Sequence, residues 1–191
     1  LGGVHSGCEG FCVTEREKML AGEPYWPRDP ELLELYRGAK GLLARFSAGD
    51  ASVLGRLLGS LGDEVWIEAP FFCDYGVNIR IGSHCFVNYN CVFLDDNLIT
   101  LGDHVLVGPA VQLYTVTHPL IPEERILPGG YVTRALPISI GDNCWIGGGA
   151  MIMPGITIGE GTTIGAGSVV TKDVPARCFA AGNPCRVIRT C

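Results

Sequence analysis

Between Ile140 and Val170 an aliphatic residue stands at every sixth position: Ile140, Ile146, Ile152, Ile158, Ile164 and Val170. A helix repeats near 3.6 residues and a strand near 2, so a period of six predicts very short strands joined by turns. Each strand is then one side of a coil in a parallel β-helix. Glycine follows the aliphatic residue at Gly141, Gly147, Gly159 and Gly165, and glycines at 148, 149, 155, 161 and 167 suit corners where a side chain would clash. Four places after each aliphatic stand Cys144, Ala150, Ile156, Thr162, Ser168 and Val174. These are mostly small or β-branched, as a narrow interior of stacked layers requires.

The count extends backwards through Ala69, Tyr75, Ile81, Val87 and Phe93, with Cys73, Ile79, Cys85 and Cys91 at the small place. It slips by two residues around Asp95 to Leu98, then resumes at Leu101, Val107 and Leu113 with Val105, Val111 and Thr117 beneath. From Pro119 to Pro137 the repeat vanishes for 19 residues that hold four prolines and Gly129-Gly130. A loop that long in a compact fold is usually functional or disordered. The reading is therefore mainly β: a left-handed parallel β-helix of about five coils over 63–175, with one loop, 119–137, projecting from its side.

Upstream the period changes to that of helices. Thr14 and Glu17 form a capping-box pair before a short helix that stops at Gly22. Asp29, Pro30 and Glu31 open a second helix whose apolar face is Leu32, Leu35, Tyr36, Leu42, Leu43 and Phe46. A third is expected from Asp50 to Leu61, with Gly62 as its stop. Residues 14–62 thus read as a small N-terminal helical cap on a solenoid end that would otherwise expose unpaired edges. Residues 1–13 read as a tail or a vector-derived remnant, and 176–191 as a C-terminal segment.

The chain has 191 residues and a formal charge of −6, which disfavours nucleic acid or an anionic membrane as partner. No apolar run approaches the roughly 18 residues of a membrane-spanning helix. The basic residues gather at one end: Lys172, Arg177, Arg186 and Arg189 stand against Asp173 alone from Thr171 onward, giving +3 there and −9 before it. That end either meets an anionic ligand or is an ordinary solvated tail. The nine cysteines show no disulfide framework and no signal peptide precedes them, so free thiols in a reducing cytosol are expected. Cys73, Cys85, Cys91 and Cys144 fall on the small inward place, where packing explains them.

His118 precedes the projecting loop and is held extended by Pro119. An imidazole with a pKa near 6.5 can take a proton from an alcohol at neutral pH when its ring is oriented. His84 and His104 occupy equivalent corners and read as polar turn residues. A zinc site using His84, His104 and His118 is the competing reading, and no metal is favoured.

Thr14 to Gly22, Asp74-Tyr75-Gly76, Asn78-Ile79, Asn88, Asp95-Asp96, Thr117-His118-Pro119, Trp145-Ile146-Gly147 and Ala181-Gly182-Asn183-Pro184-Cys185-Arg186-Val187-Ile188 together resemble the maltose and galactoside O-acetyltransferases. The likeness spans about residues 14 to 190. It implies a cytoplasmic homotrimer that takes acetyl-CoA as co-substrate, with a sugar or glycoside acceptor and active sites in clefts between neighbouring columns. On that resemblance His118 is the general base, and Asp74, Asn88 and Asp96 bind the acceptor, Asn88 at the junction with the acetyl group. Asn88, Trp145, Gly148, Ala166, Thr171, Lys172, Arg186 and Arg189 are the implied acetyl-CoA contacts, with Trp145 either inward or lining the tunnel for the pantetheine arm. Asp74 replaces the Ser of the galactoside pattern and favours a glucose- or maltose-type acceptor. Trp26 stands where relatives often carry Asp, which leaves Asp29 as a further acceptor candidate. Acetylation of a chloramphenicol-type xenobiotic and a non-catalytic scaffold are the remaining alternatives; the helical cap argues for the sugar branch.

Overall fold

The structure is a computed structural model and describes residues 13–190. The expected tail, with His5, Cys8 and Cys12, lies outside those residues.

Three parallel sheets form the faces of a triangular column. The first face stacks Ser60–Leu61, Ile79–Ile81, Ile99–Leu101, Ile138–Ile140 and Thr157–Ile158. The second stacks Trp66–Ile67, Phe86–Val87, Leu106–Val107, Trp145–Ile146, Thr163–Ile164 and Cys178–Ala181, and Arg186–Thr190 then folds back antiparallel as a seventh strand. The third stacks Phe71–Cys73, Cys91–Leu94, Gln112–Tyr114, Met151–Ile152 and Val169–Val170. The C-terminal segment is therefore part of the second face.

In-register pairing puts identical places of the repeat on top of one another, so the aliphatic positions fuse into one continuous core. Ile146, Ile152, Ile164 and Val170 are completely buried. Side chains of this size contribute about 1.5–3 kcal/mol each when removed from water. The inward thiols take part in the same ladder. Cys85, Cys91 and Cys144 donate weakly to the carbonyls of Gly102, Gly108 and Gly159, and burial pushes all three thiols above their ordinary range.

The backward count requires one correction. Trp66 pairs with Phe86 and Phe86 with Leu106, a repeat of 20 residues, whereas Trp145 pairs with Thr163, a repeat of 18. There are thus two slips of two residues, one at Asp95 to Leu98 and another at Asp74 to Asn78. The aliphatic series below Ile81 is Ile67 and Cys73, not Ala69 and Tyr75: Ala69 is exposed, and Tyr75 packs with the helical cap outside the column. Thr117 is likewise exposed, while Thr115 is buried and bonded to Leu94 O.

The cap begins with α1 (Glu15–Ala21), closed by the reciprocal Thr14 and Glu17 bonds and ended by Gly22 at φ 76°. Helix α2 (Pro30–Ser47) is capped by Asp29, which accepts from Glu31 N. The expected third helix is cut short. A 3₁₀ turn at Ala51–Val53 leads into α3 (Leu54–Leu57), after which Leu58 is extended and Ser60–Leu61 already pairs with Arg80–Ile81. Ladder bonds from Gly59 N to Ile79 O and Gly62 N to Ile81 O outweigh helix propensity there.

The projecting loop is ordered rather than featureless. It carries a helical turn, Pro122–Arg125, and a hairpin of Ile126–Leu127 with Gly130–Tyr131. Its return strand Arg134–Ala135 then pairs antiparallel with Val116–Thr117. Tyr25 bridges to Thr133, so the cap and the loop clasp each other.

Candidate active site

All three interruptions of the repeat leave the column at the same edge, where the third face turns into the first. Asp74 belongs to the uppermost, Asp96 to the next and His118 to the large loop. Stacking of the coils brings these residues together, and they line one open cavity of about 420 Å³ with Pro27, Arg28, Tyr36, Tyr75, Tyr131 and Thr133.

Asp95 builds the frame. Its buried carboxylate accepts from Asp74 N at 3.0 Å, Tyr75 N at 2.8 Å and Asn78 N at 3.2 Å, fixing the upper interruption on the lower one. Burial raises its pKa to about 7, while the backbone N–H groups pull the other way. Asn97 closes the edge from below by donating to Met19 O and Ala135 O.

Asp96 faces the opposite way, into the cavity. Tyr25 Oη donates to its Oδ1 at 2.5 Å, and its Oδ2 is buried without a partner among the described residues. Thr133 Oγ1, on the same wall, also lacks one. Both atoms are shut off from solvent, so neither is itself exposed on the cavity surface. Burial first of all raises the pKa values of Asp74 and Asp96; Lys40 pulls Asp74 back down, and a hydrogen bond between the two carboxyl groups lowers Asp74 and raises Asp96 further. The cavity floor therefore combines hydrogen-bond acceptors with a group able to retain a proton.

His118 Nδ1 lies 2.9 Å from Val132 O. A carbonyl only accepts, so Nδ1 carries the hydrogen and the neutral ring presents a bare Nε2. Tyr131 packs edge-on to the imidazole, with centroids 5.6 Å apart, and holds its plane. An oriented, exposed imidazole with a bare ring nitrogen beside carboxyl groups is chemically able to take a proton from a hydroxyl.

The other expected site residues stand elsewhere on the chain. Asn88, Gly148 and Ala166 occupy the edge between the second and third faces, with the coil of Gly108 between Asn88 and Gly148 and Ala166 on the coil after Gly148. Asn88 Oδ1 accepts from Tyr89 N. Trp145 is 56% exposed on the second face, which rules out the inward alternative. Thr171 and Lys172 lie on the His118 edge at the far end of the column, and Arg186 and Arg189 on the last strand of the second face. Lys172, Arg186 and Arg189 are exposed and form no ion pair among the described residues. Asp29 is spent on capping α2, and Trp26 borders a neighbouring cavity rather than the main one.

His84 and His104 stack at a centroid distance of 4.8 Å, with Glu64 on His84, along the remaining edge. They do not converge with His118 within the chain. The sequence reading missed Arg28, Tyr131 and Thr133 as cavity walls and Tyr25 as the partner of Asp96, and no sequence pattern marks the Val132 carbonyl.

Residues 137–172 match the family described as bacterial transferase hexapeptide (six repeats), and residues 18–62 the maltose acetyltransferase hexapeptide capping motif. Nodulation protein L of Rhizobium meliloti (strain 1021) is 49% identical over 181 residues, covering 91% of this chain and 97% of its own. A maltose O-acetyltransferase from Clostridium difficile 630 superposes with a TM-score of 0.89 at 45% identity, over 93% of this chain and 97% of that one. A galactoside acetyltransferase in complex with coenzyme A gives 0.88 at 37% identity, over 94% and 92%. Among the described residues no helix is long and apolar enough to cross a membrane.

Proposed function

The chain belongs to the maltose and galactoside O-acetyltransferase family of hexapeptide-repeat proteins, and from that premise we propose that it transfers acetyl from acetyl-CoA to a hydroxyl of a sugar or glycoside. The observation that carries the reading is the bond from His118 Nδ1 to Val132 O, in a cavity shared with Asp74 and Asp96. His118 Nε2 takes the proton of an acceptor hydroxyl as its oxygen attacks the thioester carbonyl. The new C–O bond forms, the C–S bond breaks, and the proton passes from the imidazole to the departing thiolate sulfur. Asp74 and Asp96, the two carboxyl groups that line the cavity, hold neighbouring hydroxyls, which favours polyols over simple alcohols.

Acetyl-CoA enters as a substrate, and its phosphates are met by the unpaired Lys172, Arg186 and Arg189. Gly148 is the proposed donor to the developing oxyanion: Gly147 N and Gly149 N on either side are already committed to Ile164 O and Pro109 O. Asn88 and Ala166 line the same edge, and Trp145, outward on the second face next to it, completes the thioester side.

Because that edge and the His118 edge are different corners of one column, a complete site needs two copies of the chain, and we propose a homotrimer. The outward residues support this. The first face presents Ser60, Arg80, Thr100, Ser139 and Thr157, whereas the second presents Trp66, Phe86, Leu106 and Trp145, and the third Phe72, Val92 and Met151. Trp66 is 64% and Leu106 50% exposed in a single chain. Apolar stripes of this kind mark contact surfaces. The buried free thiols suit a reducing, cytoplasmic setting.

Thiol release from acetyl-CoA, measured across glucose, maltose, galactosides, amino sugars and chloramphenicol for wild type and His118→Ala, tests the reading. Turnover on a sugar that collapses in the variant is expected. Wild-type turnover in the variant, or transfer to chloramphenicol alone, would overturn it.

A further inference from the structure

The segment Tyr25 to Arg28 is a wall with two sides. On one side Tyr25 binds Asp96 in the main cavity. On the other, a smaller cavity of about 120 Å³ is lined by Trp26, Pro27, Arg28, Gly129, Gly130 and Tyr131. Pro27, Arg28 and Tyr131 line both, so the two spaces adjoin.

The smaller cavity is firmly held. Glu15 Oε2 accepts from Trp26 N at 2.7 Å, Asp29 N donates to Trp26 O, and Tyr25 exchanges backbone bonds with Thr133. The hairpin of the projecting loop lies against the indole because residue 130 is glycine: a Cβ there would stand 3.1 Å from Trp26 Cζ3, and its φ of 155° is one that glycine adopts readily. The indole nonetheless remains 37% exposed, offering a flat apolar surface. Arg28 Cζ sits 5.7 Å from the centre of the Tyr131 ring and has no ion-pair partner among the described residues, so its N–H groups remain available.

A flat aromatic, a fixed fork of hydrogen-bond donors and a second aromatic edge together suit a pyranose ring, whose C–H face is apolar and whose rim is hydroxylated. We propose that this cavity is a second subsite that receives the sugar ring next to the one acetylated, so that the preferred acceptor has at least two rings. The inference rests on the sugar-acceptor reading above and names the class of glycoside within it. Tyr131, shared by the two cavities, lies where the linkage between the rings would pass.

The test is steady-state kinetics of the whole protein with acetyl-CoA and two acceptor series: glucose, maltose and maltotriose, and N-acetylglucosamine with its β-linked dimer and trimer. In at least one series kcat/KM should rise about tenfold from one ring to two and little from two to three. Trp26→Ala should remove that step, and Trp26→Phe, which keeps a flat ring, should retain most of it. Each variant is scored by its own two-ring to one-ring ratio, so a general loss of folded or coenzyme-competent protein cancels. A ratio near one in both series for wild type, or a tenfold ratio that survives Trp26→Ala, would overturn the subsite while leaving the sugar reading intact. Transfer to no member of either series would overturn the subsite, and the sugar reading with it if galactosides fail as well.

Discussion

Tyr25 Oη and Asp96 Oδ1 are 2.5 Å apart although 71 residues separate them in the chain. The bond ties the helical cap to the edge of the β-helix and orients the Asp96 carboxyl beside the cavity. Tyr25→Phe removes the donor and leaves both oxygens unmet. We expect a loss of about 1–3 kcal/mol of stability, the usual cost of stranding a buried polar group. Denaturant midpoints compared with wild type check it, and the acceptor KM should rise with little change in the KM for acetyl-CoA.

His118 protrudes from the column, and its ring is held by Val132 O and Tyr131 rather than by the core. His118→Ala should therefore lower kcat by about 10²–10⁴, the range for a positioned base, with no shift in unfolding midpoint. Thiol-release kinetics and thermal unfolding of the same preparation separate the two effects.

Asp74 and Asp96 hold protons more tightly folded than unfolded, because burial raises their pKa values. The stability they contribute is full below the ordinary Asp value of about 3.9 and is lost as pH rises toward neutrality. Asp96→Asn keeps an acceptor for Tyr25 but cannot titrate. Between pH 4.5 and 7.5 the wild-type unfolding midpoint should fall relative to that of Asp96→Asn, and parallel curves would refute the shift (pH range about that of the two limits above).

Leu106 stands outward between Phe86 and Trp145 on the second face, whereas Thr100 stands outward on the polar first face. Leu106→Asp should yield a smaller species by light scattering and abolish turnover, and Thr100→Asp should do neither. A wild type that is monomeric at working concentration would end the case for a site shared between copies.

At Gly108 an added Cβ would lie 2.6 Å from Gly148 N on the coil below. Neither backbone can retreat without breaking the ladder, so Gly108→Ala should cost about 1–3 kcal/mol, as overpacking does. Urea titration measures it.

The column was legible from 138 onward because a strict period of six leaves no other reading, and α1 and α2 because Thr14, Glu17, Asp29 and Pro30 carry their own stop and start chemistry. The upper coils were misregistered because Tyr75 is as apolar as the residues it was counted with, and a two-residue slip is invisible where both frames present hydrophobic side chains. The short third helix reflects a contest that propensity alone cannot decide, since its outcome depends on Ile79 and Ile81 offering carbonyls. His118, Asp74 and Asp96 were recognisable by resemblance. That they converge follows only from all the interruptions leaving one corner, and the Val132 carbonyl that sets the tautomer belongs to the main chain, which carries no signature.

The confinement of every insertion to a single corner separates two jobs. The rungs are built from the flat faces, so 74–78, 95–98 and 115–137 can change as a matched set, with Asp95 and Thr115 as their anchors, while the faces keep their register. Grafting those three segments together with the helical cap between relatives ought then to carry acceptor preference with them, while the rungs and the thioester side pass unchanged.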